Sequence, residues 1–478
     1  MDNVEVLARL EALRAGDLPT HGGRTLSYVY DSGLAEADEV GRAALAAFAA
    51  TNGLDPTAFP SLLAMEQDLV ALTGSVLDAP AGFAGTVTSG GTESILLAVL
   101  AARDARPDVA HPSMVVPTTA HAAFHKAAHY FGVRLVLVDV DPVTYRADVA
   151  AMAEAIDEST VLVVGSAPSY AHGVVDPIPA LASAAAAAGV RCHVDACIGG
   201  WVLPFLPATE RTVLPQWTFD VEGVTSISVD LHKYGYTPKG VSVLLHRSAA
   251  LRRSQLFAAA DWPGYPMLNT TLQSTKSGGP LAAAWAVTTK IGLDGYHDLA
   301  VTARQATLDA AAGVAAIDGI HVVVEPDSTL LALRSDDSCD VYTVADQMLD
   351  RGWFVQPQLP FRGSDPTLHL TFCAATAVSV GDLLVALRDS VRAAQATGPV
   401  VVDPGLASAA AGLDPESLDD AAFDTLLALA GLGSADGSVA VPARMAPIHA
   451  LLAVASPRLR EALLVTFLDR LSRPRRLT

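Results

Sequence analysis

Lysine is scarce in this chain. There are five, Lys126, Lys233, Lys239, Lys276 and Lys290, among 31 basic side chains. Any chemistry that needs a lysine amine therefore has a short roll of candidates. Charge as a whole is thin: 17% of residues are charged, and 51 acidic against 31 basic groups leave −20. That balance excludes the broad basic surface on which nucleic acid and anionic membranes bind, although a local site on an acidic protein can still take an anion. The four cysteines, Cys192, Cys197, Cys339 and Cys373, form no CxxC pair and are too few for a disulfide framework. The 13 histidines include no HExxH pair and no Cys/His array, which disfavours a metal enzyme. No uncharged apolar run nears the ~20 residues that cross a bilayer. Met1–Glu5 lacks the basic region and apolar core of a secretory signal, so a reducing, cytoplasmic setting is expected. Repeats of 20–50 residues, the mark of solenoids and propellers, are absent too.

What is present is apolar material, 51% of 478 residues, enough for a large core and about two to four domains. The first 60 residues read as a helical segment, with a loop at Asn52-Gly53-Leu54-Asp55-Pro56 and a helix over Ser61–Leu77. From about residue 83 to 250, short apolar runs alternate with helical stretches. The strands are expected at Met114–Pro117, Leu135–Val140, Val161–Ser166, Arg191–Val194, Ser226–Val229 and Val241–Leu245. Helices are expected at Thr92–Arg103, Ala120–Phe131, Ala147–Ile156 and Pro179–Ala188. Such alternation predicts an α/β fold: a mostly parallel central sheet with helices on both faces, binding its ligand beyond the carboxyl ends of the strands. A long helical connection follows at 281–316. A smaller α/β unit comes next, with strands near His321–Val324, Leu330–Leu333, Trp353–Gln356 and Leu368–Phe372 and helices near Val341–Arg351 and Val378–Ala394. The composition of Val400–Gly437 reads as a loose, partly helical connector before a last helix at Pro457–Leu471 and a solvated basic tail, Arg473-Pro474-Arg475-Arg476. The expected division is 1–60, an N-terminal helical segment; 61–300, a large cofactor-binding domain; 301–398, a small C-terminal α/β domain; and 399–478, connector and terminal helix.

Three segments carry candidate chemistry. Gly85-Thr86-Val87-Thr88-Ser89-Gly90-Gly91-Thr92-Glu93-Ser94 enters a helix, and its paired glycines and free helix-start N–H groups suit a phosphate. An ordinary glycine turn capped by Thr92 or Ser94 is the alternative. The segment is neither G-x-G-x-x-G nor a Walker loop, so nucleotides are not favoured. His193-Val194-Asp195-Ala196-Cys197 ends a strand, placing a carboxylate where a ligand crevice is expected. The third runs from Ser226 to Tyr236 and contains His232-Lys233-Tyr234. A lysine leaving such a loop forms a Schiff base if its amine is neutral on attack. Lys126 and Lys290 fall in expected helices, Lys239 in a Pro-Lys-Gly turn and Lys276 in the loop Ser274–Gly279, which leaves Lys233 as the best candidate.

Together these segments resemble pyridoxal 5'-phosphate enzymes of the aspartate-aminotransferase fold (fold type I). They fall within the group II decarboxylase superfamily, and the resemblance is strongest to the sphingosine-1-phosphate lyase family. Close relatives of Thr86–Leu96, His121–Phe124, His172–Ile178, His193–Gly200, Gly223–Ser228 and His232–Gly240 recur there in the same order. The resemblance runs from Tyr30 to Ala394 and more weakly through Pro442–Leu471.

It implies Lys233 as the Schiff-base lysine and Asp195 beside the pyridine nitrogen. His121 would stack on the ring, and Ser89, Gly90, Gly91, Thr92 and His232 would hold the phosphate. Tyr30 matches a tyrosine near the substrate. The family is an intimate homodimer, so Lys276, Gly278 and Gly279 are expected to reach the partner's site. The implied activity is cleavage of a carbon–carbon bond in a β-hydroxy amine such as a phosphorylated sphingoid base, an aldehyde-lyase reaction. An amino-acid decarboxylase, with Arg362 as a cation for the substrate carboxylate, is the alternative. A non-catalytic scaffold is the remote one, disfavoured by the intact Lys233, Asp195 and His121. Two departures concern the substrate: Asp55 stands where the family typically has histidine, and Lys276 where it has arginine, a less bidentate cation for phosphate.

Overall fold

The structure is a computed structural model that describes residues 1–429 and 444–474. The chain forms two compact units: residues 1–312, 323–332 and 370–380 in the first, and residues 313–322, 333–369 and 381–478 in the second.

A seven-stranded sheet organises the first unit. Its strands are β1 (Ala84–Thr88), β2 (Ser113–Pro117), β3 (Arg134–Val138), β4 (Thr160–Ser166), β5 (Arg191–Asp195), β6 (Val224–Asp230) and β7 (Ser242–His246), in the order β1-β7-β6-β5-β4-β2-β3. Neighbours from β6 through β3 are parallel, and β7 alone runs against both of its neighbours, β1 and β6. Strands β2, β4 and β7 are buried at every position, as apolar runs covered on both faces must be. The six strand candidates read from the sequence match β2 to β7 within one or two residues. β1 had no counterpart, because its alternating Gly and Thr do not read as an apolar run.

Helices Gly91–Asp104 and Ile178–Ala187 pack on the sheet, each burying an apolar stripe. The connection expected at 281–316 is the helix Gly278–Val314, broken at Gly292, whose φ of +66° only glycine adopts cheaply. Phe257–Ala259 (β8) and Met267–Asn269 (β9) form a separate hairpin.

A smaller sheet consists of Ile320–Val322 (β10), Leu330–Ser335 (β11), Gln356–Gln358 (β12) and Thr367–Thr371 (β13), ordered β10-β11-β13-β12. The strand expected at Trp353–Gln356 forms three residues later. Trp353 is buried as core, and Pro357, which has no N–H to give, sits in the edge strand where none is needed.

The region expected to be a loose, partly helical connector is helical in two stretches that carry a core of their own. Pro404–Ala411 and Asp420–Leu429 are helices, and Phe423 and Leu426 share a small core with Leu451, Leu459 and Leu463 from the helices Ala446–Val454 and Pro457–Ser472. Arg473, expected in a solvated tail, is tied to Asp420 and Asp469. Residues 430–443, which include the end of the connector, and the tail arginines Arg475 and Arg476 lie outside the described residues.

Candidate active site

All strands of the large sheet except β7 run in one direction, so the carboxyl ends of β1, β2, β4, β5 and β6 open on one side. A cavity of about 370 Å³ lies there. Each strand end contributes: Ser89–Glu93 after β1, His121 after β2, Ser166, Pro168 and Tyr170 after β4, Asp195 and Cys197 after β5, and Asp230, His232 and Lys233 after β6. The three segments singled out in the sequence thus converge.

The first segment turns into the helix Gly91–Asp104 directly at the cavity, with Gly90 as N-cap at φ +153°. Its geometry is held from behind by Ser94, whose hydroxyl pairs with Thr88 at 2.7 Å and Ser242 at 2.9 Å. A Cβ on Gly90 would meet the His232 ring at 3.1 Å, and one on Gly91 would meet the Asp230 carboxylate at 2.7 Å. The cradle is open because side chains are missing there, and its helix N–H groups face an otherwise acidic protein.

Asp195 ends β5, 8% exposed, and accepts a hydrogen bond from the Cys197 N–H at 3.1 Å. His121 accepts at Nδ1 from the Ala123 N–H, so the neutral ring carries its proton on Nε2. Burial lowers its pKa, against the opposing pull of Asp195. His232 is likewise lowered by burial, with Asp230 opposing, and its Nδ1 accepts from Val241 N–H.

Lys233 is the single lysine that lines the cavity. Lys126 lies over the Tyr130 ring and Lys290 pairs with Glu36. Lys276, expected near a substrate, is bound to Glu66 at 2.6 Å and to the Val87 carbonyl. Lys239, set aside in the sequence as a turn residue, is better than that. Its amine donates to the carbonyls of Tyr28 and His232 and lies 4.8 Å over the Tyr30 ring. Burial, with Lys233 nearby, brings its pKa down to about 8.

Tyr30 packs edge-on to Tyr234, and burial raises its hydroxyl pKa, so it stays protonated as a donor. Asp55 is exposed and turned onto its own loop, accepting from the Thr57 N–H at 2.8 Å and hydroxyl at 2.7 Å; it does not line the cavity of its own chain. Neither do Gly278 and Gly279, which open the long helix.

Sequence reasoning missed Asp230. Its carboxylate is 2% exposed, with Oδ2 3.0 Å from Lys233 Nζ and 3.6 Å from His232 Nε2. The signal was available, an acidic residue ending a strand three positions before the lysine. Tyr170 and Ser166 were missed because nothing local marks them.

The fit to pyridoxal phosphate can be judged on this geometry. A glycine turn at a helix start, the buried Asp195 carboxylate, the His121 imidazole and Lys233 surround the cavity, and the Ser166 hydroxyl is buried there without a partner. The residues fit.

Comparison with known proteins agrees. Residues 40–332 match the pyridoxal-dependent decarboxylase conserved domain, and the chain belongs to that family. It falls in the sphingosine-1-phosphate lyase branch. It is 36% identical to the sphingosine-1-phosphate lyase of Arabidopsis thaliana over 86% of this chain and 76% of that protein. It is 41% identical to that of Dictyostelium discoideum, over 64% of this chain and 57% of that relative's length. The solved sphingosine-1-phosphate lyase of Burkholderia pseudomallei superposes with a TM-score of 0.77 at 34% identity, covering 83% of this chain and 92% of that one. A Lactobacillus brevis glutamate decarboxylase, 20% identical with a TM-score of 0.72, shares the fold. Pyridoxal 5'-phosphate is accordingly the cofactor of this chain. Residues 404–470 match a C-terminal domain of pyridoxal-dependent enzymes described as a putative HTH. No helix among the described residues is long and apolar enough to cross a membrane.

Proposed function

We propose that the chain is a pyridoxal-phosphate-dependent aldehyde-lyase that splits the Cα–Cβ bond of a β-hydroxy amine such as a phosphorylated sphingoid base. The observation that carries this reading is the convergence of Lys233, Asp195 and His121 with the Ser89–Thr92 cradle, on a chain whose extended similarity is to lyases of that kind.

When bound, the cofactor supplies an electron-accepting ring conjugated to the substrate amine, so that whichever Cα bond stands perpendicular to the ring is weakened. The protein's part is positioning and charge. Lys233 offers the amine for covalent attachment. Backbone N–H groups at Gly90–Thr92, with the Ser89 hydroxyl and His232, would take the phosphate at the positive end of a helix, the Ser89 N–H itself donating to Glu93. Asp195 would pair with the ring nitrogen, its negative charge keeping that nitrogen protonated so that the ring can accept electrons. His121 presents a flat face and the Nε2 proton. Tyr30 stays protonated and donates.

Asp55 and Lys276 are proposed to act on the substrate in an adjoining subunit's site, with Gly278 and Gly279 beside them. Homodimerisation is supported by the apolar side chains that the β8–β9 hairpin leaves exposed, Phe257, Trp262, Tyr265 and Leu268. We infer a cytoplasmic setting and retain the division at residues 60, 300 and 398 as a division by role.

Product analysis tests the reading. Incubation with a phosphorylated sphingoid base should release a long-chain aldehyde and phosphoethanolamine. Carbon dioxide from an amino acid, with no aldehyde, would instead make the chain a decarboxylase.

A further inference from the structure

Asp230 is the last residue of β6, and the turn after it brings Lys233 back so that Nζ stands 3.0 Å from Oδ2. Both groups are inside the cavity wall, with Asp230 2% exposed and the Lys233 side chain 20%. Gly91 makes the arrangement possible from the other side, since a Cβ there would lie 2.7 and 2.8 Å from the two carboxylate oxygens. A buried carboxylate is costly without a cation, and a buried ammonium is costly without an anion. Each of this pair holds the other in its charged form.

We propose that Asp230 is a positioning residue that keeps Lys233 as an ammonium whenever its amine has no covalent partner, and so sets the pH at which the lysine captures pyridoxal phosphate. This rests on Lys233 being the cofactor lysine. Capture requires the proton to leave Nζ first. The nitrogen then bonds to the aldehyde carbon, and the aldehyde oxygen departs as water. When a substrate amine takes over the carbon, Lys233 leaves as an amine, regains a proton, and is held again by Asp230 rather than competing for its former position.

The groups facing Lys233 come from several elements. Tyr30, Cys197 and Asp195 add to Asp230 in raising its pKa, against the effect of burial. Lys233 in turn pulls down the pKa values of His232 and of Lys239, His121 and Tyr170, which face it from other elements. Asp230 is the nearest anion, and burial, which opposes its own charge, is outweighed by Lys233 and His232.

The test follows capture directly. Cofactor-free protein is mixed with pyridoxal phosphate across ~pH 6–10, trapped with borohydride, and the pyridoxyl-Lys233 peptide is quantified by mass spectrometry. In Asp230→Asn the rise in trapping should move to lower pH, giving roughly tenfold or more faster capture near neutrality, as loss of an adjacent opposite charge requires. An unchanged profile overturns the proposal.

A second measurement needs no variant. With an amine-reactive reagent on the unaltered chain, Lys239 should label from about pH 8, and Lys233 only at higher pH. Lys233 labelling first would overturn the proposal. A borohydride label on Lys239 or Lys276 in place of Lys233 would instead defeat the cofactor assignment itself.

Discussion

Replacing Gly91 by alanine tests the cradle most directly. A Cβ at this position would lie 2.7 and 2.8 Å from the Asp230 oxygens and 2.8 Å from Cys197 Sγ. Ordinary van der Waals contact begins at 3.4 Å, farther out than any of these. Neither neighbour gives way easily. Asp230 is held by Lys233 and His232, and Cys197, 5% exposed, lies two residues past the end of β5. One added methyl in such a place typically costs about 1–3 kcal/mol. Taken from cofactor binding, that is roughly a 5- to 150-fold rise in Kd at ~1.4 kcal/mol per tenfold.

The assay is titration of cofactor-free protein with pyridoxal phosphate, followed by absorbance, alongside a thermal melt. Gly381→Ala is the control, because nothing lies within 4 Å of that site and it begins a helix. Its Kd should not move. A Gly91→Ala protein that binds the cofactor within about twofold of the parent would refute the reasoning, for the cradle would then have room that the geometry denies it.

Asp195→Asn should keep the fold but reduce turnover by on the order of 10²-fold or more, the scale of losing one preorganised electrostatic contact; near-normal kcat would assign the ring nitrogen to another group. Asp176, fully buried and accepting from Ala147 and Ser166 N–H groups, has its pKa pushed up to about 6 by desolvation. Its folded pKa thus exceeds its unfolded one, so its contribution to stability falls as pH rises from about 4 through 6, by about 3 kcal/mol at ~1.36 kcal/mol per unit. Denaturation midpoints of parent and Asp176→Asn should therefore converge as pH rises over that range, and parallel profiles would show that the carboxyl ionises freely. Asp55→His should improve kcat/KM on a phosphorylated sphingoid base relative to its unphosphorylated counterpart, since like charges a few Å apart cost roughly 1–4 kcal/mol. No change in that ratio would mean the turn with Thr57 keeps the carboxylate away from any substrate.

Local pattern determined more here than the modest charge and plain composition suggest. Four buried parallel strands, β2, β4, β5 and β6, announce themselves as apolar runs because both faces are covered, and a glycine pair before a helix marks the turn that enters it. Lys233 was legible because only five lysines had to be weighed. Tertiary structure decided what depends on partners distant in sequence. Glu66 claims Lys276 across 210 positions, and burial and Lys233 turn Lys239 from a turn residue into an amine that titrates near 8. β1 is a strand because β7 runs beside it, not because of its Gly and Thr residues, and the apparent connector folds because its leucines find those of the last helix. Periodicity is a property of adjacent residues and can be read along the chain. Burial and electrostatic pairing are properties of the space between residues, and that space exists only once the chain has folded.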